Sequence, residues 1–226
     1  MSRPKAFDVG QAVSDALEVF IAKGYEGATL SELTSAMGIN ASSLYAAFES
    51  KMGLFRQAME LYACRRGPIL DKAISKAIAY DVAASLLRDY GDALTDPDMA
   101  RGCLYVQGAL SCSDDSLDIR QELADRRLAI EPVLAARFSK AIAEGDLPST
   151  SDPQAIARYI ATLLQGMAVQ ASGGTSREKL HAMVDMVLQC WPKAEGNRTE
   201  GNRVGRDRER SRQLRRASTS SRQRRG

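Results

Sequence analysis

Ser42, Ser43 and Tyr45 fall within four residues of one another, and all three lie off the apolar stripe that Leu44 and Phe48 define. Two short hydroxyls and a phenol on one outward helix face have no neighbouring base to activate them. What they can do is hydrogen-bond. A serine near a helix start can reach a nucleic-acid base edge, although it discriminates poorly because it bonds several bases. A tyrosine ring can lie along a groove wall while its hydroxyl reaches a backbone phosphate. Lys51, a few residues on, adds a cation. The rest of the chain offers little rival chemistry. It holds one histidine, His181, and shows no Ser-His-Asp order, no phosphate loop and no metal-ligand cluster.

The segment that must hold these side chains is Thr29 to Phe48, TLSELTSAMGINASSLYAAF. Leu30, Leu33, Ala36 and Met37 recur at helical spacing and give a first short helix one apolar face. Gly38 follows at the stop, where positive φ is needed. Asn40 or Ser42 can cap a second helix, on which Leu44 and Phe48 share the buried side. Thr29 caps the first, and Glu32 three residues later completes a capping box. Two helices joined by a short Gly-containing turn make a helix-turn-helix, whose second helix is shaped for a DNA major groove. A plain helical hairpin that touches nothing has the same pattern. Upstream, Asp8 can cap a helix to about Lys23 whose stripe of Val9, Ala12, Val13, Ala16, Leu17, Phe20 and Ile21 braces the pair.

The run from Thr29 to Phe55 closely resembles the DNA-binding segment of TetR-family transcriptional regulators. Thr29, Leu33, Ala36, Gly38, Ile39, Leu44, Tyr45, Phe48, Lys51 and Leu54–Phe55 carry the match, with Gly24-Tyr25-Glu26-Gly27-Ala28 before them. The motif covers the first quarter of the chain; the rest resembles the family mainly in helical pattern. The resemblance implies that Ala41, Ser42 and Ser43 face base edges and that Lys51 meets a phosphate. With Thr29, Ser31, Gly38 and Tyr45 they form the candidate DNA-binding set. Where family members often carry an aromatic residue or histidine, this chain has Ala46 and Ala47. That removes phosphate contacts, or lets the helix sit closer to the groove or touch thymine methyls. The resemblance further implies a dimeric repressor, paired through its last two long helices and released from a double-stranded DNA operator by a small-molecule effector.

Size and charge frame this reading. The chain has 226 residues, 44% of them hydrophobic, and helical spacing dominates, so an all-α protein is expected. The expected arrangement is a helix-turn-helix module over residues 6–66, a helical dimerisation and ligand-binding body over 67–192, about nine helices in all, and a disordered basic tail over 193–226. The tail holds 12 basic and 4 acidic residues, a net of +8, which leaves 19 and 24, a net of −5, for residues 1–192. The overall net charge of +3 is therefore a property of the tail and says nothing about the module. The tail either adds nonspecific phosphate affinity or is an incidental extension. At the other end, Arg3 and Lys5 sit on an arm that either reaches DNA or is an ordinary frayed terminus. No apolar run is long enough for a membrane span and no signal-peptide core precedes the first helix, so a cytoplasmic location without a membrane partner is expected. Cys64, Cys103, Cys112 and Cys190 form no C-x-x-C pair, so free thiols are expected rather than a metal site. No cofactor is called for.

Past the module, Ser50 caps a helix carrying Leu54, Phe55, Ala58, Met59, Leu61 and Tyr62, with an interruption or kink expected at Gly67-Pro68. Further helices are expected over 81–95, over the uncharged run 102–112, from Ser116 to about Glu144 with a kink at Pro132, and over 152–171 and 176–191. In the 116–144 helix, Leu117, Ile119, Leu123, Leu128, Ile130, Val133, Leu134, Phe138 and Ile142 are expected inside. The last two helices lack a strongly charged face, which suits burial in a homodimer as well as within one protomer. A ligand is expected between 102–112 and the helices at 81–95 and 152–171, against Tyr90, Cys103, Tyr105, Gln107 and Met167; equally, these are core residues around no cavity. Cys103 or Cys112 is a sensor of oxidants or electrophiles only if exposed with a lowered pKa. An enzyme-like body, or a helical adaptor that does not use its motif on DNA, is the competing class.

Overall fold

Each of the first four helices opens on a side-chain oxygen that takes a backbone N–H, so the module's geometry is set by local chemistry before any packing. Asp8 accepts from Gln11 N at 3.1 Å and starts α1 (Val9–Gly27). Thr29 accepts from Glu32 N at 3.2 Å and starts α2 (Leu30–Met37), with Glu32 reaching back to Thr29 N at 3.1 Å. Asn40 accepts from Ser43 N at 2.8 Å and starts α3 (Ala41–Phe48). Ser50 accepts from Gly53 N at 3.0 Å and starts α4 (Lys51–Ile74). The cap left open between Asn40 and Ser42 is thus Asn40. Gly38, at φ 64°, closes α2 in the left-handed conformation expected of it.

This architecture comes from a computed structural model, which describes residues 7–110 and 116–192. The arm with Arg3 and Lys5, residues 111–115 with Cys112, and the tail at 193–226 lie outside the described residues. The body adds α5 (Ala79–Leu94), α6 (Leu104–Leu110), α7 (Leu117–Leu128), α8 (Ile130–Ala143), α9 (Pro153–Ser172) and α10 (Arg177–Gln189). The described residues are all-α. Their ten helical segments match the expected nine or so once α7 and α8, which meet at Ala129, are taken as one broken helix. The break lies three residues before Pro132, because Pro132 has no N–H to give the Leu128 carbonyl and its ring crowds that carbonyl.

α1 packs on α2 and α4 to close the module, and Leu17, Phe20, Leu33, Leu44, Phe48, Leu54 and Phe55 are buried in it. Phe55 meets Phe20 edge-on at 4.8 Å and Tyr25 at 5.0 Å between ring centroids. In the body α8 packs on α9, α10 on α5, and α6 between α1 and α7. Four expectations need correction. Leu30 and Ala36 are exposed, so α2 buries only Leu33 and Met37. Leu117 and Leu128, expected inside, are 58% and 55% exposed, because both lie well round the helix from the Ile119–Leu123 stripe that α7 buries. Val133, also expected inside, is 39% exposed and lines a cavity. Finally, of the interruption or kink expected at Gly67-Pro68, the interruption does not occur: α4 runs 24 residues from the module into the body with Pro68 inside it.

Candidate nucleic-acid interface

α3 turns two different faces to its surroundings. Leu44 and Phe48 are fully buried or nearly so, while Ala41, Ser42, Tyr45, Ala46 and Ala47 are exposed and Ser43 is half-buried. Tyr45 keeps 47% of its surface, although it is a large aromatic residue directly after the buried Leu44. Thr29, Ser31 and Gly38 are exposed along α2 and the turn, so the side chains singled out in the sequence share the surface of the module. The Ser42 hydroxyl donates to Asn40 Oδ1 at 2.7 Å. With its single proton spent there, Ser42 presents lone pairs outward, an acceptor rather than a donor.

The start of α4 holds the remaining cation. Lys51 Nζ lies 4.6 Å from the centre of the Tyr25 ring and 3.5 Å from the Glu26 carbonyl oxygen. Partial burial lowers its pKa, and the Glu26 carboxylate opposes that shift. Lys51 is therefore held in place by the end of α1 rather than freely solvated. The N-terminus of α2 is occupied by its own capping box, and Glu32 is further paired with Lys23. The hydrogen bond from Lys23, then those from the Thr29 N–H and hydroxyl, bring the Glu32 carboxyl down to about 2.

The junction between α3 and α4 contains a residue whose role the sequence did not announce. Glu49 turns at φ 65°, and Gly53 then packs so closely under α3 that a Cβ there would stand 2.1 Å from the Phe48 carbonyl oxygen. Gly53 thereby sets how α3 sits on the long helix. A glycine in the first turn of an otherwise well-formed helix was the available signal, since that choice weakens the helix unless close approach requires it.

In the body a cavity of about 390 Å³ opens between α4, α5, α6, α9 and the α7–α8 break. Of the five residues set around the expected ligand, Tyr90, Cys103 and Tyr105 line it. Gln107 and Met167 do not. Met167 is fully buried with its terminal methyl against Gly91, and Gln107 turns toward Gly102. The main omission from the sequence reading is the α4 wall, Tyr62 and Arg66, one turn apart. An arginine one turn beyond a buried aromatic on an apolar stripe was the signal there. Cys103 is 5% exposed, Cys64 and Cys190 are exposed free thiols, and the described residues contain no metal-binding cluster. No helix among them is long and apolar enough to cross a membrane.

Comparison with known proteins places this geometry. Residues 13–58 match the family model described as bacterial regulatory proteins, tetR family, and residues 83–187 match the tetracyclin repressor-like C-terminal domain. The chain is 32% identical over 197 residues to the HTH-type transcriptional repressor ComR of Escherichia coli K12, covering 84% of this chain and 91% of ComR. It is 27% identical to the repressor BdcR of the same organism, covering 81% of this chain and 89% of BdcR. Among solved structures it resembles the regulator CifR, a cysteine mutant complexed with 26 bp double-strand operator DNA, at 39% identity and a TM-score of 0.79, covering 84% of this chain and all of that one. On these grounds, and on the capped helix pair that carries the motif, the chain belongs to the TetR family of bacterial transcriptional regulators.

Proposed function

We propose that the chain acts as a homodimeric repressor that places one α3 from each protomer in successive major grooves, about 34 Å apart, of a near-palindromic operator. The observation that carries this reading is the exposed face of α3, with Ser42, Ser43 and Tyr45 outward over a buried Leu44 and Phe48. Ala41, Ser42 and Ser43 meet base edges, and Ser42 accepts from an adenine or cytosine amino group because its own proton is used on Asn40. Tyr45 and Lys51 contact phosphates, and Thr29, Ser31 and Gly38 border the backbone. Tyr159, Val169 and Met186, on α9 and α10, are 50%, 46% and 70% exposed, apolar surface that supports pairing through these helices. The protein works in the cytoplasm as a regulator without enzymatic activity, and residues 6–66, 67–192 and 193–226 act as DNA-binding module, regulatory body and basic tail.

A small ligand in the cavity releases the operator. Linkage requires only that it bind the low-affinity arrangement better than the DNA-bound one. Tyr62 and Arg66 stand on the same helix as Lys51, about 20 Å along it, so a shift of the cavity wall moves the DNA module. Selection of bound sequences from random DNA, with the full chain and with residues 193–226 deleted, tests the reading. The expected result is one inverted repeat from both, with Tyr45→Ala and Lys51→Ala each weakening binding in a gel shift and Tyr45→Ala leaving the thermal melt unchanged. A sequence preference that vanishes with the tail, or undiminished binding in both variants, overturns it.

A further inference from the structure

The cavity wall is apolar over most of its extent, but its charged members share one sign. Arg66, Arg126 and Arg127 line it and no Asp or Glu does. Arg126 is paired with Glu60, and Arg127 donates to the Tyr105 carbonyl at 2.7 Å. Arg66 is placed differently. Its Nη2 donates to the Ala93 carbonyl at 2.8 Å and its guanidinium stands 5.5 Å from the centre of the Tyr62 ring, yet its Nε is fully buried with no hydrogen bond among the described residues. Tyr62, 1% exposed, likewise has no hydrogen-bond partner for its hydroxyl; the nearby Cys103 sulfur interacts with it without a bond of ordinary geometry. Burial first, and the Cys103 thiol second, push the Tyr62 and Tyr90 phenols up, so both remain protonated donors at neutral pH.

Buried polar groups are nearly always hydrogen-bonded, so two donors without a hydrogen bond, one helical turn apart on residues that line the cavity, indicate what this side of the wall recognises once Tyr62 and Arg66 turn them toward it. We propose that the cavity takes an amphipathic carboxylate, its apolar body lying on Ile69, Leu70, Leu86 and Leu164 and its headgroup accepting from Arg66 Nε and Tyr62 Oη. A carboxylate supplies two acceptor oxygens in one plane and the negative charge that three arginines favour. An alcohol of the same length supplies one weaker acceptor and no charge. The inference rests on the reading of this cavity as the regulatory site and adds the class of its ligand.

Isothermal titration of the full chain with octanoate and 4-phenylbutyrate, against 1-octanol and 4-phenyl-1-butanol, tests it. At least one acid is expected to bind about tenfold or more tightly than its alcohol. Arg66→Gln is expected to abolish that preference while leaving alcohol binding in place, and Tyr62→Phe to reduce it about fivefold. Equal binding of acids and alcohols, no saturable binding of either, or an acid preference unchanged in Arg66→Gln overturns the proposal. The wild-type comparison stands even if Arg66→Gln does not fold. A parallel ligand-free gel shift on the selected operator separates the two readings. Operator binding without acid preference removes only the ligand class, whereas acid preference without operator binding removes only the DNA role.

Discussion

The module and the body use the same contact in opposite ways. In the module Phe55 meets Phe20 and Tyr25 edge to face at 4.8 and 5.0 Å, and Phe20 and Phe55 are sealed on every side. Seven residues along the same helix, two turns on, Tyr62 meets Tyr105 edge to face at 4.9 Å, but this pair borders a cavity. A filled aromatic cluster locks α1 to α4, the helix against which α3 packs, and so presents α3 at one angle. A cavity wall has neighbours on one side only, so a molecule that fills it supplies packing the protein lacks. The part that meets DNA gains from rigidity, and the part that answers a ligand needs free volume; α4 belongs to both.

The sharpest way to break this contrast is to remove one side chain from each region. Phe55→Ala should cost about 4 kcal/mol, because the hole it leaves is enclosed by Phe20 and Tyr25. Leu164→Ala, on the cavity wall, should cost about 2 kcal/mol, since that leucine already lacks neighbours on its inner side. Urea denaturation measures both, and equal losses would mean that the body is as tightly packed as the module. Gly53→Ala attacks the mounting of α3 instead of its core. The added methyl would stand 2.1 Å from a backbone oxygen, so α3 must move; a loss of about 3 kcal/mol in the same assay is expected. Operator affinity should fall further than that loss explains, because the surviving folded molecules carry α3 at the wrong angle.

The contrast also explains which parts were legible in the sequence. The module's helices are fixed by residues three or four apart, so Asp8, Thr29 and Ser50 announced their helix starts, Asn40 or Ser42 that of α3, and Leu44 with Phe48 which way α3 faces. Close approaches beyond a single helical turn left weaker traces. Gly53 lies against Phe48, and only its place in the first turn of α4 hints at it. The cavity gathers side chains from helices far apart in sequence. Cys103 and Tyr105 stand in the uncharged run that drew attention to this region and Tyr90 on the helix set beside it, while Met167 proved to be packed under Gly91 and Arg66 was not singled out. Exposure was misjudged at Leu117 and Leu128 because both are apolar residues in a helical pattern, whereas α7 buries only the Ile119–Leu123 stripe and both leucines lie on its far side.

At the DNA face smaller effects should separate contacts by kind. Tyr45→Phe keeps the ring and removes one hydroxyl, so a loss of about 1 kcal/mol in operator affinity is expected, roughly fivefold, with stability unchanged because the side chain is 47% exposed. Lys51→Ala should weaken binding to every sequence alike and lower the slope of log affinity against log salt by about 0.9. It should also loosen the end of α1, since the ammonium lies over the Tyr25 ring. A Tyr45→Phe variant that changes which base is preferred, rather than overall affinity, would move Tyr45 from the phosphates to the base edges.

The smallest effect concerns the cap on α2. Glu32 has its carboxyl lowered from about 4.5 to about 2, chiefly by the hydrogen bond from Lys23 and then by those from Thr29. A carboxyl that is more acidic in the folded state stabilises it fully above the unfolded pKa and loses that contribution as pH falls through the folded one. The capping box should therefore be intact at pH 5 and above, weaken between about 4.5 and about 2, and be gone below. The carboxylate is solvent-exposed, so the change should be local: the Thr29 amide should lose exchange protection over this interval while the Phe55 cluster keeps its own. Glu32→Gln, which retains an acceptor for the Thr29 N–H but no charge for Lys23, should flatten that pH response. If the Thr29 amide still titrates in Glu32→Gln, the capping carboxylate is not its source, and the module's local order depends on its aromatic core rather than on its caps.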